Sequence, residues 1–128
     1  MEKIDIIQGN YVDDPWKILI CCILLNQTTN NQVRSIVESF FEKWPNYKSV
    51  NQDEFELIRN HIRTTGFQNI KAKRIISLSS KWDPDIKDPS KLPGVGKYAM
   101  EAWRIFIDKD FNFIPTDKKL KIYLSEDI

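Results

Sequence analysis

A chain of 128 residues, 41% hydrophobic and 29% charged, with four glycines and six prolines, has enough apolar material for one core and is neither disordered nor fibrous. Its formal net charge of +1 excludes a uniformly basic nucleic-acid binder, so any such role must rest on where the charges lie. The only cysteines, Cys21 and Cys22, are neighbours that exclude a zinc or iron–sulfur centre and read as small core residues of a reducing, intracellular compartment.

In chain order, Asp13-Asp14-Pro15 is a helix start, with an aspartate cap and proline at the first helical position. The apolar run Ile18 to Leu25 behind it predicts a central, buried helix; it is too short to span a bilayer, and no charged leader with a cleavage site precedes it. The polar cluster Asn26-Gln27-Thr28-Thr29-Asn30 predicts a turn and a new cap. A second helix then carries Val33, Ile36, Val37, Phe40 and Phe41 on one face and ends near Trp44-Pro45. A third begins around Asn51 to Asp53 and is ended by Thr64-Thr65-Gly66. Asn69 is placed to cap a fourth, with Ala72, Ile75, Ile76 and Ser79 inward and Lys71 and Arg74 pointing elsewhere. A single turn at 89–92 leads into Leu92-Pro93-Gly94-Val95-Gly96-Lys97-Tyr98. The helix after it shows Tyr98, Ala102, Ile105 and Phe106 at helical spacing, and an extended segment reaches Pro115. A last helix from Thr116/Asp117 has Leu120 and Tyr123 inward. Every proline falls at a boundary, which gives about seven helices and no strand pair: one all-α domain over 1–128.

Charge is unevenly spread. From Leu57 to Trp82 there is no acidic residue, while Arg59, Arg63, Lys71, Lys73, Arg74 and Lys81 fall inside, and Lys118, Lys119 and Lys121 form a second basic group. Such blocks are either solvated helix faces or a surface that tracks phosphates. The glycine-x-glycine turn at Gly94 and Gly96 opens a helix, and bare N–H groups there are suited to a phosphate oxygen. It is also a tight turn between helices, and both descriptions can hold. Asp117, nineteen residues after Tyr98, is a lone carboxylate at a helix start. It can cap that helix, and it can offer negative charge to a reaction at a sugar carbon.

These residues resemble a known family. Asp14-Pro15-Trp16-Lys17-Ile18-Leu19, Leu24-Leu25-Asn26-Gln27-Thr28, Gly66-Phe67-Gln68-Asn69-Ile70-Lys71-Ala72-Lys73, Leu92 to Tyr98, Arg104-Ile105-Phe106 and Pro115-Thr116-Asp117-Lys118-Lys119-Leu120 occur here in the order seen in the helix-hairpin-helix DNA glycosylases of the endonuclease III superfamily, most closely the methyl-CpG-binding-domain thymine glycosylases. The resemblance implies two lobes with a DNA cleft between them. It implies a monomeric, monofunctional base-excision glycosylase that hydrolyses the N-glycosidic bond of a flipped thymine or uracil opposite guanine, with related 5-substituted uracils as further candidates. By the same resemblance the partner is duplex DNA in a nucleus or nucleoid, with no membrane role. No iron–sulfur cluster or catalytic metal is needed, and a monovalent cation can sit at the hairpin beside Gly94 and Gly96.

The resemblance also assigns roles. Asp117 is the carboxylate that stabilises the sugar cation, orients the attacking water, or does both. Many members place a lysine two residues after the second hairpin glycine as an attacking amine; here Tyr98 stands there. Lys97, one residue earlier and about 100° around the helix, does not replace it, so no lyase activity is expected. Tyr98 then lines the base pocket, or is a core aromatic. Gln27, beside Asn26, is the wedge that fills the vacated stack; the nearest relatives carry arginine, and a neutral wedge loses charge-assisted bonds to phosphate. Gln8 matches a pocket glutamine that reads a pyrimidine edge. Gly94, Gly96, Lys97, Lys118 and Lys119 are the DNA-backbone contacts. Two other readings stand beside this one: a hairpin module that binds DNA without catalysis, and a glycosylase for another damaged base. The lone His61 lies outside every motif and reads as a surface or partly buried residue.

Overall fold

A helix with no polar side has to be surrounded, and the architecture follows from that. The computed structural model describes residues 6–126, and among them every regular element is helical. The first helix, α1 (Pro15–Leu25), buries nine side chains, from Trp16 to Leu25. Asp14 caps it by accepting from Lys17 N–H at 3.2 Å, with Pro15 at the first position, as the sequence predicts. Around it stand α2 (Asn30–Lys43), α4 (Gln68–Ser80), α5 (Lys97–Phe106) and a 3-10 turn at Ile7–Tyr11. The short α3 (Phe55–His61) packs on α4, and α6 (Lys118–Glu126) follows the extended segment. Six α-helices are thus described rather than about seven, because the 89–92 segment makes only a hydrogen-bonded turn, Leu92 N–H to Pro89 O at 3.0 Å. No helix among the described residues is long and apolar enough to cross a membrane.

Local chemistry explains the boundaries. Thr29 and Gln32 form a reciprocal capping box at the start of α2, whose Val33, Val37, Phe40 and Phe41 are buried. Helix α3 starts later than the sequence suggests, at Phe55, because Asn51 accepts from Asp53 N–H at 2.9 Å and turns 52–54 into a 3-10 coil. Asn69 does not cap α4. The chain enters that helix through Gly66 at φ 78° and Phe67 at φ 50°, so the cap position falls on an exposed aromatic with left-handed backbone. His61 is half-buried against the Phe40 and Trp44 rings and bonds Ser39 Oγ at 2.9 Å, and its pKa is lowered by burial and by the Lys43 charge. Cys21 and Cys22 are buried, unbridged core residues.

The largest departure is Lys71. It does not point outward but is wholly enclosed, with 0% exposure. Its ammonium donates to Leu24 O at 2.8 Å and Thr65 O at 2.9 Å. Leu24 lies in the last turn of α1, where carbonyls have no partner within the helix, so the lysine satisfies a buried acceptor and straps α1 to the turn before α4. Burial pushes its pKa down to about 8.

Replacing Lys71 with methionine keeps most of the stem's packing and removes the buried charge, but leaves two buried carbonyls without donors. We expect Lys71→Met to lose about 2–4 kcal/mol in urea unfolding at neutral pH, because unpaired buried acceptors outweigh the relief of desolvation. A variant as stable as the parent would show that the two bonds contribute nothing net.

Candidate active site

Two adjoining cavities open beside the last turn of α1. The first, of about 370 Å³, is lined by the 25–30 loop, Tyr98 of α5, and Asp117 and Lys119 at the head of α6. The second, of about 340 Å³, is lined by Cys22, Ile23, Asn26, Arg74 of α4 and the hairpin 94–99. Asn26 and Tyr98 belong to both and form the wall between them.

The hairpin owes its shape to its glycines. Gly94 has φ 80°, which favours glycine, and a Cβ there would stand 3.2 Å from Ile23 Cδ1 and 3.3 Å from Arg74 Cβ, tight contacts that would need both neighbours to give slightly. A Cβ on Gly96 would meet nothing within 4 Å, and Gly96 precedes α5 with no side chain capping the helix. The first N–H groups of α5 therefore open toward the second cavity, beside Lys97 and Arg74, an arrangement suited to an oxyanion. Arg74 is exposed and makes no ion pair among the described residues. Sequence reasoning placed it away from the core without assigning it a role.

Asp117 does cap α6: one carboxylate oxygen, Oδ2, accepts from Leu120 N–H at 2.9 Å. Oδ1 accepts no hydrogen bond among the described residues, and the half-buried side chain lines the first cavity without an ion pair. Structural and chemical uses of this residue are thus compatible, one oxygen for each. Tyr98 faces the same cavity. Its hydroxyl accepts from Gln8 Nε2 at 2.7 Å, which leaves its own proton for another acceptor. Burial raises the Tyr98 pKa, the nearby Cys22 and Asp117 charges add to this, and the Gln8 bond offsets only part. The phenol is therefore a proton donor, not an anion. Burial likewise pushes the Cys22 thiol up to about 12, which removes it as a nucleophile.

The structure does not bring all the expected residues together. Gln8 is 0% exposed and lines neither cavity; it lies one layer behind Tyr98, with Nε2 also 3.5 Å from Cys22 Sγ and Oε1 buried without a partner among the described residues. Its local role is to orient the tyrosine. Gln27 is exposed at the mouth of the first cavity with left-handed backbone, φ 54°. Lys97 reaches the second cavity and Lys119 the first, whereas Lys118 lines neither.

Glu101 was missed altogether. It lies one turn after Tyr98 on α5, is only 7% exposed, and receives four short contacts from the backbone and hydroxyl just ahead of α6. The available signal was a charged residue on the face that also carries Tyr98, Ala102 and Ile105, where a carboxylate has to find donors.

The comparisons with known proteins agree on a family. The model of the HhH-GPD superfamily base excision DNA repair proteins matches residues 20–125. The chain is similar to a methyl-CpG-binding domain protein 4-like protein of Arabidopsis thaliana, 31% identical over 121 residues, covering 93% of this chain and 27% of that protein. It is similar to a thymine-DNA glycosylase of Aeropyrum pernix, 36% identical over 93 residues, 66% of this chain and 42% of that one. A thymine/uracil-DNA glycosylase of Pyrobaculum aerophilum is 32% identical over 94 residues, 67% of this chain and 41% of its own length. The chain thus spans less than half the length of each of these relatives.

A buried, neutral phenol has a spectroscopic consequence. Tyr98→Phe should lose none of the tyrosinate absorbance that develops up to about pH 11, because in the folded protein Tyr98 ionises only above that range. A drop of about one quarter of the amplitude, one of four tyrosines, would mean that the hydroxyl is solvated and titrates normally.

Proposed function

The chain belongs to the HhH-GPD superfamily of base excision DNA repair proteins, and from that premise we propose that it is a monofunctional DNA glycosylase. Its substrate is a thymine or uracil opposite guanine, turned out of duplex DNA. The observation that carries the reading is the free Oδ1 of Asp117, presented to a cavity whose other wall is the neutral hydroxyl of Tyr98.

The roles follow from position. Backbone N–H groups at the start of α5, with Lys97 and Arg74, receive a phosphate in the second cavity and fix register without reading sequence. A monovalent cation beside Gly94 and Gly96 is part of this proposal and enters no chemical step. The flipped nucleotide enters the first cavity, and Gln27 at its mouth occupies the gap left in the stack. Being neutral, Gln27 offers the opposite base two hydrogen-bonding groups and no charge, so opposite-base preference rests on amide geometry. As the bond at C1′ lengthens, positive charge grows on the sugar and negative charge on the base. Asp117 stabilises the first and orients water, while Tyr98 donates to a carbonyl oxygen of the departing pyrimidine.

No lysine stands at position 98, so the abasic product leaves intact. The Lys119 ammonium lines the same cavity and is the group that a contrary result would implicate. The reaction places the protein inside the cell, wherever its duplex substrate is, acting as a monomer.

The test uses duplexes with a single T·G, U·G or U·A pair, assayed for strand scission with and without alkali. We expect scission only after alkali. Asp117→Asn should reduce excision at least about 100-fold, the loss typical of a transition-state charge partner. Because asparagine caps a helix nearly as well, it should cost no more than about 0.5 kcal/mol of stability. Duplex binding without excision by the parent protein would instead support a non-catalytic module, and undiminished excision by the Asp117→Asn variant would remove the carboxylate from the mechanism.

A further inference from the structure

Asp117 stands at the end of a segment with no regular structure of its own. Residues 107–117 are non-helical; Ile107 and Phe113 pack against the core and Pro115 is buried, whereas Phe111 and Ile114 are 51% and 77% exposed, so apolar contacts hold the stretch at separate points and leave its backbone without a regular hydrogen-bond pattern. Arg104 anchors its first half, pairing with Asp110 at 2.7 Å and lying 3.7 Å over the Phe113 ring. In the half that carries the carboxylate Pro115 is buried, and the polar groups that follow it are held by a side chain of α5.

The geometry points to Glu101 as a positioning residue: its buried carboxylate gathers the N–H and hydroxyl of Thr116 and the N–H of Asp117, and thereby sets where the Asp117 carboxylate stands over the cleft. This rests on the proposed role of Asp117. Both oxygens take part. Thr116 N–H lies 3.0 and 2.9 Å from Oε1 and Oε2, Thr116 Oγ1 donates to Oε2 at 2.9 Å, and Asp117 N–H donates to Oε1 at 3.2 Å. Two successive N–H groups ahead of a helix have no partners within it, and one charged acceptor takes both.

The consequence for Asp117 is specific. Glu101 fixes its backbone from one side and Leu120 N–H fixes its side chain from the other, so Oδ1 has little freedom left. Glu101 and Tyr98 lie three residues apart on α5, which makes a single helix the reference for both walls of the first cavity. Burial works against the Glu101 charge, but the bonds from Thr116 and Asp117 and the Lys97 charge more than reverse this, and the carboxyl stays below the usual range. The tether is thus a charge-assisted one at neutral pH.

A tether that only stabilised the fold would lower excision and DNA binding together, in step with the unfolded fraction. A positioning tether lowers excision alone. Three measurements on the whole chain separate them: single-turnover excision from a U·G duplex, affinity for that duplex by fluorescence anisotropy, and amide hydrogen exchange at Thr116 and Asp117. For Glu101→Ala we expect excision about 100-fold slower, the effect of displacing a reacting group by about 1 Å, with affinity within about threefold. Exchange at the two amides should accelerate while α5 stays protected. Glu101→Gln keeps an acceptor for Thr116 N–H, and should lose only about tenfold; it carries the test if the alanine variant fails to fold.

Parent-like excision by either folded variant would overturn the inference, as would excision and affinity falling in parallel. If instead Asp117→Asn excises at the parent rate, or the parent excises nothing, it is the functional reading that fails. The exchange data would then still report the tether by itself.

Discussion

The last turn of α1 is the constraint on which the site depends. An eleven-residue helix buried on all sides must still end, and its final carbonyls then face other protein instead of water. Three donors meet them: Asn26 N–H to Ile23 O, Thr28 N–H to Leu25 O, and the Lys71 ammonium to Leu24 O. The same turn receives the hairpin, since Gly94 packs so closely on Ile23 that an added methyl group would press the isoleucine side chain aside by a few tenths of an ångström. Both cavities therefore open at one rigid point, with the loop of Asn26 and Gln27 leaving it on one side and the hairpin seated on the other.

This arrangement shows what a linear reading can reach. Periodicity and caps were enough for α1, α2 and the position of the hairpin, because those elements obey local rules: an aspartate and proline at one start, a Thr–Gln box at another, a glycine pair before α5. Asp117 was legible as a cap for the same reason, its acceptor and donor being three residues apart. Lys71 was not. Lysine is almost always solvated, and its burial here follows from a carbonyl 47 residues earlier that no window around position 71 contains. Asn69 failed as a cap because Gly66 and Phe67 adopt positive φ and begin the helix two residues too soon for it. Gln8 was expected to line the base pocket and instead lies enclosed behind Tyr98, since its burial against Cys22 and Tyr98 is a tertiary fact.

A carboxylate on a surface proposed to receive phosphates needs an account, because like charges repel. The head of α6 supplies one. Asp117 sits where the helix N-terminus presents positive partial charge, takes a backbone N–H from Leu120, and is followed by Lys118 and Lys119. The local field is therefore not that of an isolated anion. The hairpin cavity, with Lys97 and Arg74 and no acidic lining residue, is the site the proposal gives to phosphate. Separation of the two charge types into adjoining cavities allows a backbone to be gripped next door to a group that repels it.

That separation also bears on how the proposed catalysis is organised. Electrostatic stabilisation of a transition state is effective when the charged and dipolar groups are in place before the substrate arrives, since moving them during reaction would consume the gain. In this cleft the phenol is fixed by Gln8 from behind and the carboxylate by Leu120 and, through the backbone, by Glu101. Each of the two groups thus spends one hydrogen-bonding valence on the protein and keeps one for the cavity. The buried partners, Gln8 and Glu101, come from the amino-terminal turn and from α5, which both pack on α1. The spacing between donor and acceptor is accordingly a property of the core and not of the loops that carry Gln27 and Asp117. An exposed Gln27 and an irregular segment at 107–117 are compatible with the proposed reaction centre for that reason.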